Sequence, residues 1–352
     1  MRLAVESGAA RALPLMEAVL RGDGSLAAEF PLVFGPGAPG SAVVAEVAGA
    51  VRSACAILVR DLELPGLVLR AGLIGSVATD PEFRGRGLAS AVLERAEVEL
   101  AAEGCLFALL WADEPAFYEA RGWRPAAAEL DWVLAADLCE RLPAPGGVRR
   151  ARPEDAAAIH ALYERHPVRA RRTANETRLL LAAPGMDVRV RERAGRLSAY
   201  ACVGRGADLA GVLHEWGGAA DDVLACARAQ LAGRERLILM APALRGELGA
   251  RLSELGAPCR LGVLGMAKLL SAERAAELLR SSAPELTVEP GPCGDLVLCS
   301  AAGRLELDAA AALELLFAPR AERGRVERVE QRLGLSLPAL PLAPFVWGLD
   351  SI

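Results

Sequence analysis

The sequence predicts an α/β (α+β) fold shared among more than one domain, and three observations carry that reading. At 352 residues the chain is longer than one core ordinarily organises, which suggests two or three domains. Helical and extended hydrophobic patterns alternate along the first 140 residues, the order that packs helices onto a sheet. A strand-like run, Ile74 to Thr79, leads through a turn rich in Arg and Gly straight into a helix pattern.

Taken in order, Leu13, Leu15, Met16, Val19 and Leu20 mark one face of a helix that ends at Gly22-Asp-Gly. Glu29 to Phe34 and the Gly-Pro-rich Gly35 to Gly40 read as strand or loop. Ala54 to Leu64 reads as a strand turned at Pro65-Gly66, and Leu67 to Leu69 and Leu73 to Thr79 continue as extended chain, which allows a hairpin. After Gly87, Leu88 to Ala102 is a long helix with Leu88, Val92, Leu93, Ala96 and Leu100 on one face. Leu106 to Trp111 is a buried strand, Pro115 to Ala120 a short helix, and Leu130 to Leu134 a further strand.

Leu142-Pro-Ala-Pro-Gly-Gly147 has the composition of a linker. Beyond it, Ala156 to Tyr163 reads as a helix. Strands are expected near Val188 to Val190, Ser198 to Val203 and Gly211 to Trp216, then a helix from Asp222 to Leu231. A third block has strand-like Leu286 to Val288, Leu296 to Ser300 and Arg304 to Leu307, a helix from Ala309 to Leu316, and an end rich in Leu and Pro. The expected domains are therefore 1–140, 147–270 and 271–352.

Composition excludes several classes. The net charge is -5 and no basic stripe is visible, which argues against nucleic-acid binding. The longest apolar stretch, Ala42 to Val59, is broken by Glu46 and Arg52, so no membrane span is expected. Met1-Arg-Leu-Ala-Val-Glu lacks the apolar core of a signal peptide, and a cytoplasmic protein is expected. Eight Cys without a CxxC pair read as buried free thiols. His160, His166 and His214 lack ligand spacing, so no metal site is expected.

The chemistry concentrates in Ile74-Gly-Ser-Val-Ala-Thr-Asp-Pro-Glu-Phe-Arg-Gly-Arg-Gly-Leu-Ala89. Where a strand turns directly into a helix, several main-chain N–H groups lack carbonyl partners and point the same way. With the positive end of the helix dipole they form a pocket for a diphosphate. Gly85 and Gly87 would admit the ligand closely, and Arg84 and Arg86 add positive charge. On its own, Arg-x-x-Gly-x-Ala is equally compatible with an ordinary glycine-rich turn. A second motif, Ala116-Phe-Tyr-Glu-Ala-Arg-Gly-Trp123, follows after one helix and one strand.

Together the two motifs, over roughly residues 50 to 135, resemble the signature of the GNAT acetyltransferase family. The resemblance implies a mixed-sheet acetyltransferase fold and acetyl-CoA as the acetyl donor. Val77, Ala78 and Thr79 would pair with the pantetheine arm as an added strand does, one N–H stabilising the oxyanion. Gly85, Arg86, Gly87, Leu88, Ala89 and Ser90 would hold the diphosphate, with Arg84 beside them. Tyr118 would protonate the departing thiolate as general acid; a Tyr packed in its short helix, hydroxyl bonded to backbone, is the alternative.

The order of blocks is similar to the enhanced intracellular survival branch of that family. That branch has a catalytic domain, a second related domain without its loop and a sterol-carrier-like tail. Echoes are Leu64-Pro-Gly66, Ala112-Asp-Glu-Pro-Ala-Phe-Tyr118, Ala199-Tyr-Ala-Cys-Val203, Val212-Leu-His-Glu215 and Leu305-Glu-Leu-Asp308. The resemblance places Asp113 and Glu114 against the cofactor and implies a small-molecule amine acceptor, polyamine-like or aminoglycoside-like, and a ring-like homo-oligomer. In the branch a terminal carboxylate on an aromatic residue acts as base. Here the last residue is Ile352, so a base and a merely docked apolar tail both stay open. Gly217-Gly-Ala-Ala-Asp-Asp222 supplies no Arg and two carboxylates, so the second domain should not bind CoA. His214 and Glu215 read as strand residues with satisfied hydrogen bonds. Asp61 and Glu63 are alternative carboxylates for a cationic acceptor, or plain surface charges. A protein lysine or N-terminal acetyltransferase, and a regulator that binds acetyl-CoA or an apolar ligand without turnover, are the competing readings.

Overall fold

The structure, a computed structural model, describes residues 1–22, 26–291, 294–319 and 323–352. Asp23 and Gly24 of the expected helix stop, and Cys293, lie outside the described residues. The N-terminal part runs β1 (Arg2–Ser7), α1 (Leu13–Leu20), α2 (Leu26–Glu29), α3 (Pro31–Phe34), β2 (Ser41–Val47), β3 (Ala50–Leu64), β4 (Leu67–Thr79), α4 (Leu88–Ala102), β5 (Phe107–Leu110), α5 (Pro115–Glu119), β6 (Arg124–Ala126) and β7 (Glu129–Ala135). Glu29 to Phe34 is thus not strand or loop. Pro31 opens the short helix α3, a position where its missing N–H costs nothing, and Leu32, Val33 and Phe34 are all buried, which hides any helical periodicity. β3 and β4 form one long hairpin, because Gly66 at φ 73° turns the chain tightly after Pro65.

The second part holds β8 (Val148–Arg150), α6 (Ala156–Tyr163), β9 (Arg169–Ala170), α7 (Ala174–Leu180), β10 (Asp187–Arg193), β11 (Arg196–Arg205), β12 (Asp208–Gly218), α8 (Ala220–Leu231), β13 (Arg236–Pro242), α9 (Glu247–Glu254), β14 (Cys259–Gly262) and β15 (Gly265–Leu269). The third holds α10 (Ala272–Ser282), β16 (Thr287–Pro290), β17 (Leu296–Cys299), β18 (Arg304–Leu307), α11 (Ala309–Phe317) and α12 (Gly324–Leu333), with β16, β17 and β18 in one antiparallel sheet.

The two large sheets exchange strands. The first has the order β1-β2-β3-β4-β5-β15-β6, and the second β14-β7-β13-β12-β11-β10-β8. β15 therefore completes the first sheet from beyond residue 260, while β7, expected in the N-terminal domain, pairs with β13 and β14. Boundaries at 140 and 270 do not follow the sheets. The helix α4 packs Val92, Leu93, Ala96 and Leu100 against the first sheet, and a second core joins the third block to it through Phe107 and Phe317, whose rings lie 4.6 Å apart. Among the described cysteines, Cys55, Cys105, Cys202 and Cys226 are buried, whereas Cys259 is exposed on the edge strand β14. No described helix is long and apolar enough to cross a membrane.

Candidate active site

The site begins with a defect in β4. Ala54 pairs with Ala78 and Ala56 with Gly75, so Ser76 and Val77 together oppose the single residue Cys55. Ser76 adopts a left-handed φ of 48° to accommodate the extra residue. Such a bulge bends its strand and re-aims the groups beside it. The parallel ladder between β4 and β5 covers only Ala71 to Leu73 and Phe107 to Leu109. Beyond it the strands part, and a cavity of about 1100 Å³ opens between Ile74–Thr79 on one side and Leu110–Trp111 on the other.

At the end of β4, Asp80 accepts a hydrogen bond from the Glu82 N–H at 3.0 Å and pairs with Arg52 at 2.6 Å, fixing the turn. Gly85 and Gly87 take φ of 73° and 76°, and Gly87 caps α4. A Cβ at either would meet nothing within 4 Å. Left-handed backbone, rather than crowding, is what demands glycine here, and the space above the turn is left open. The first turn of α4 closes with the Ala91 N–H donating to the Gly87 carbonyl at 3.0 Å, so the amides of Leu88, Ala89 and Ser90 precede the helix ladder. Arg84 reaches the cavity wall. Arg86 turns away: it stacks 4.6 Å from the Phe83 ring and donates to the Glu82 carbonyl at 3.0 Å. Arg121, within the second motif but not singled out in sequence, lines the cavity and donates to Ser90 Oγ at 3.0 and 2.7 Å.

Tyr118 sits on α5 across the cavity, half-buried, edge-on to Phe117 at 5.0 Å and to Trp123 at 6.2 Å. Burial, then Cys55 and the Asp113 carboxylate, raise its hydroxyl above the usual value of about 10, so it keeps its proton at neutral pH. The hydroxyl makes no hydrogen bond to a described residue. Asp113 and Glu114 line the cavity beside it.

The same cavity is also lined by Val19, Leu20, Arg21, Leu26 and Phe30, with Asp208 from the second sheet and Ile352. None of these but Ile352 was given a site role in sequence: Val19 and Leu20 read only as one face of a helix, because nothing local tells a helix residue that it lines a distant cavity. A Cβ on Gly75 would lie 2.1 Å from the Ile352 carboxyl oxygen and 2.3 Å from its carbon, so that group rests directly on β4. The segment leading to it is held from below. Asp350 accepts from the Tyr163 hydroxyl at 2.7 Å and lies 3.4 Å from Arg172, which forks onto Glu215 at 2.6 and 3.0 Å. Trp347 donates to the Val168 carbonyl at 3.1 Å and stacks on His166 at 4.3 Å.

The structure thus brings Val77, Thr79, Arg84, Gly85, Gly87, Leu88, Ala89, Ser90, Asp113, Glu114, Tyr118 and Ile352 to one cavity. Ala78 is buried, its carbonyl accepting from Ser53 Oγ at 3.2 Å, and neither it nor Arg86, which is held by Glu82 and Phe83, lines the cavity. Asp61 and Glu63 are elsewhere. Glu63 is clamped by Arg169 and Arg171, and Asp61 faces Arg70 at 3.4 Å. His214 Nε2 bonds the Gly204 carbonyl at 3.0 Å while its buried Nδ1 has no partner among the described residues, and Glu215 is tied to Arg172. In the second sheet, β12 and β13 also part after a short parallel ladder, but Trp216 bridges them by donating to the Met240 carbonyl at 3.0 Å. Asp222 in the first turn of α8 pairs with Arg191 and Arg193 where the first domain leaves its amides open.

Residues 22–126 match the family model of the acetyltransferase (GNAT) domain. Solved structures share the fold over the full chain. A conserved protein of Enterococcus faecalis V583, termed a probable N-acyltransferase, matches with a TM-score of 0.69 at 14% identity, covering 100% of both chains. A GCN5-related N-acetyltransferase from Kribbella flavida matches at 0.61 and 17%, again over 100% of both, and Eis1 from Mycobacterium abscessus at 0.57 and 18%, over 100% of this chain and 97% of the other. No curated protein matches the chain. The chain carries an acetyltransferase domain of the GNAT type, an acyltransferase whose donor is acetyl-CoA.

Proposed function

We propose that this acetyltransferase moves the acetyl group of acetyl-CoA to a primary amine of a small polycationic molecule, polyamine-like or aminoglycoside-like. In this reading Tyr118 is the acid and the Ile352 carboxyl group the base. The observation that carries it is convergence: the glycine turn, the bulge of β4, Tyr118 and Ile352 all open into one cavity.

The donor fits the groups present. Open amides at the start of α4, with Arg84 and Arg121 near them, suit a diphosphate, and the parted strands β4 and β5 leave the Val77–Thr79 main chain free to bond an amide-bearing arm. The acceptor enters as an ammonium. The Ile352 carboxylate, lying against β4 in the cavity wall, attracts it and removes one proton, while Asp208 is already paired with Arg21 at 2.6 Å. The free amine attacks the thioester carbonyl, whose oxygen draws charge stabilised by a main-chain N–H at the β4 bulge. The carbon–sulfur bond breaks as the Tyr118 hydroxyl passes its proton to the leaving thiolate, and the phenolate so formed takes up the second nitrogen proton as the amide is completed, which restores Tyr118.

Transfer of isotopically labelled acetyl groups to a panel of diamines, aminoglycosides and lysine peptides, read by mass spectrometry, tests this. Labelled small polyamines are expected. Label only on peptides would move the acceptor to proteins, and donor binding without any transfer would make the chain a non-catalytic binder.

A further inference from the structure

We infer that Arg205, a residue of the second sheet, is a positioning residue for acetyl transfer: its guanidinium fixes the Gly348–Ile352 segment at the acceptor end of the cavity. The inference rests on the proposed role of Ile352.

The local sequence explains how an arginine at a strand end is aimed there. β11 closes with Val203-Gly-Arg-Gly206, and its register with β12 slips twice, between Cys202 and Val203 and between Val203 and Arg205. Gly204 and Gly206 both take left-handed φ, 78° and 52°. The irregular strand end bends the chain and throws the intervening side chain out of the sheet. The turn also presses on the N-terminal domain, since a Cβ on Gly206 would lie 2.1 Å from Glu29 Cδ.

Arg205 is 2% exposed. Its Nε donates to the Glu29 carbonyl at 3.0 Å, and one Nη donates to the Gly348 carbonyl at 2.7 Å, the Ser351 carbonyl at 2.9 Å and Ser351 Oγ at 3.2 Å. Its guanidinium carbon lies 4.2 Å from the centre of the Phe30 ring, which lines the cavity. One side chain thus joins the acceptor wall to the residue immediately before Ile352. Burial lowers its pKa to about 10, so it stays charged at neutral pH. Burying a cation against carbonyl dipoles is a poor way to gain stability, because an apolar side chain of similar volume avoids the desolvation. The planar fork does what an apolar group cannot: it sets the direction of several carbonyls at once. Trp347 and Asp350 also hold the same segment, through the Val168 carbonyl and the Tyr163 hydroxyl, so losing Arg205 frees the last residues without undocking the rest.

The test combines Arg205→Gln, Arg205→Lys and Gly75→Ala, the last displacing Ile352 from the opposite side. With donor and acceptor saturating, R205Q is expected to lower kcat about 30- to 100-fold, with the dissociation constant for coenzyme A by calorimetry nearly unchanged and the thermal midpoint lowered, since buried carbonyls of Glu29, Gly348 and Ser351 lose their donor. R205K should recover part of the loss. The double variant G75A/R205Q should be no slower than the slower single, because both act through one group. Multiplying losses in the double variant, or unchanged kcat in folded R205K and R205Q, would overturn the positioning role. Should R205Q not fold, R205K decides by the same two criteria. If G75A alone leaves kcat intact, the Ile352 reading itself fails and takes this inference with it, a result distinct from additivity.

Discussion

Gly75→Ala is the sharpest probe of the acceptor end. Gly75 sits inside β4, paired with Ala56 of β3, so the strand has little freedom to yield. Its φ is not left-handed, so alanine brings no backbone strain and the effect is purely steric. The added methyl carbon would lie 2.1 Å from the Ile352 oxygen, whereas ordinary contact begins at 3.4 Å, so the Ile352 group must retreat by about 1.3 Å. A misplacement of about 1 Å in a reacting group costs about 100-fold in rate, equivalent to about 2.7 kcal/mol in the barrier. Steady-state kinetics with saturating acetyl-CoA and an acetylated amine should show kcat down about 100-fold. Coenzyme A binding should hold, since the glycine turn is untouched. A folded G75A enzyme with kcat within about twofold of the parent would refute the placement of a working group at Ile352.

Other outcomes follow from the same geometry. Tyr118→Phe should lower kcat by about 10²- to 10⁴-fold with coenzyme A binding retained; an unchanged rate removes the acid role. Gly87→Val forces a branched residue to a φ of 76° and should weaken coenzyme A binding about tenfold or more, at about 1–2 kcal/mol of strain, measurable by calorimetry. Arg84→Ala should raise the KM for acetyl-CoA more than Arg86→Ala, because only Arg84 reaches the cavity. His166 and His214 are each held by burial at about 4, below the usual 6.5. Their folded forms stay neutral where the unfolded chain takes protons, so their stabilisation is full above pH 6.5 and is lost as pH falls toward 4. Urea unfolding across that window should show falling stability, and the slope should flatten in a variant with both histidines replaced by glutamine.

What could be read from the residues depended on how local its cause was. The helix α4 matches its sequence reading residue for residue, because Gly87 sets its start and Leu88, Val92, Leu93, Ala96 and Leu100 recur at helical spacing. The β3–β4 hairpin was legible for the same reason, Pro65-Gly66 being a turn by chemistry. β15 was not, since Gly265 to Leu269 says nothing about joining a strand more than 100 residues earlier. The glycine-turn side of the cavity was legible because one contiguous motif builds it. The rest of the cavity wall is assembled from α1, α2, the β11–β12 turn and the chain's last residues, and no spacing rule links those pieces. Arg172 sits among Arg169 and Arg171 and looks like its solvated neighbours, yet it is fully buried. Arg205 carried a faint signal, a lone cation between two glycines at a strand end.

The traded strands also govern how the chain is made. As it leaves the ribosome, β5 and β6 emerge well before their shared neighbour, and the gap between them stays empty until Leu269 has been synthesised. Meanwhile β7 waits for partners that lie a hundred residues downstream. Neither half can mature alone, so a protease nick in the Leu142–Gly147 linker should leave two fragments that copurify and melt in a single transition.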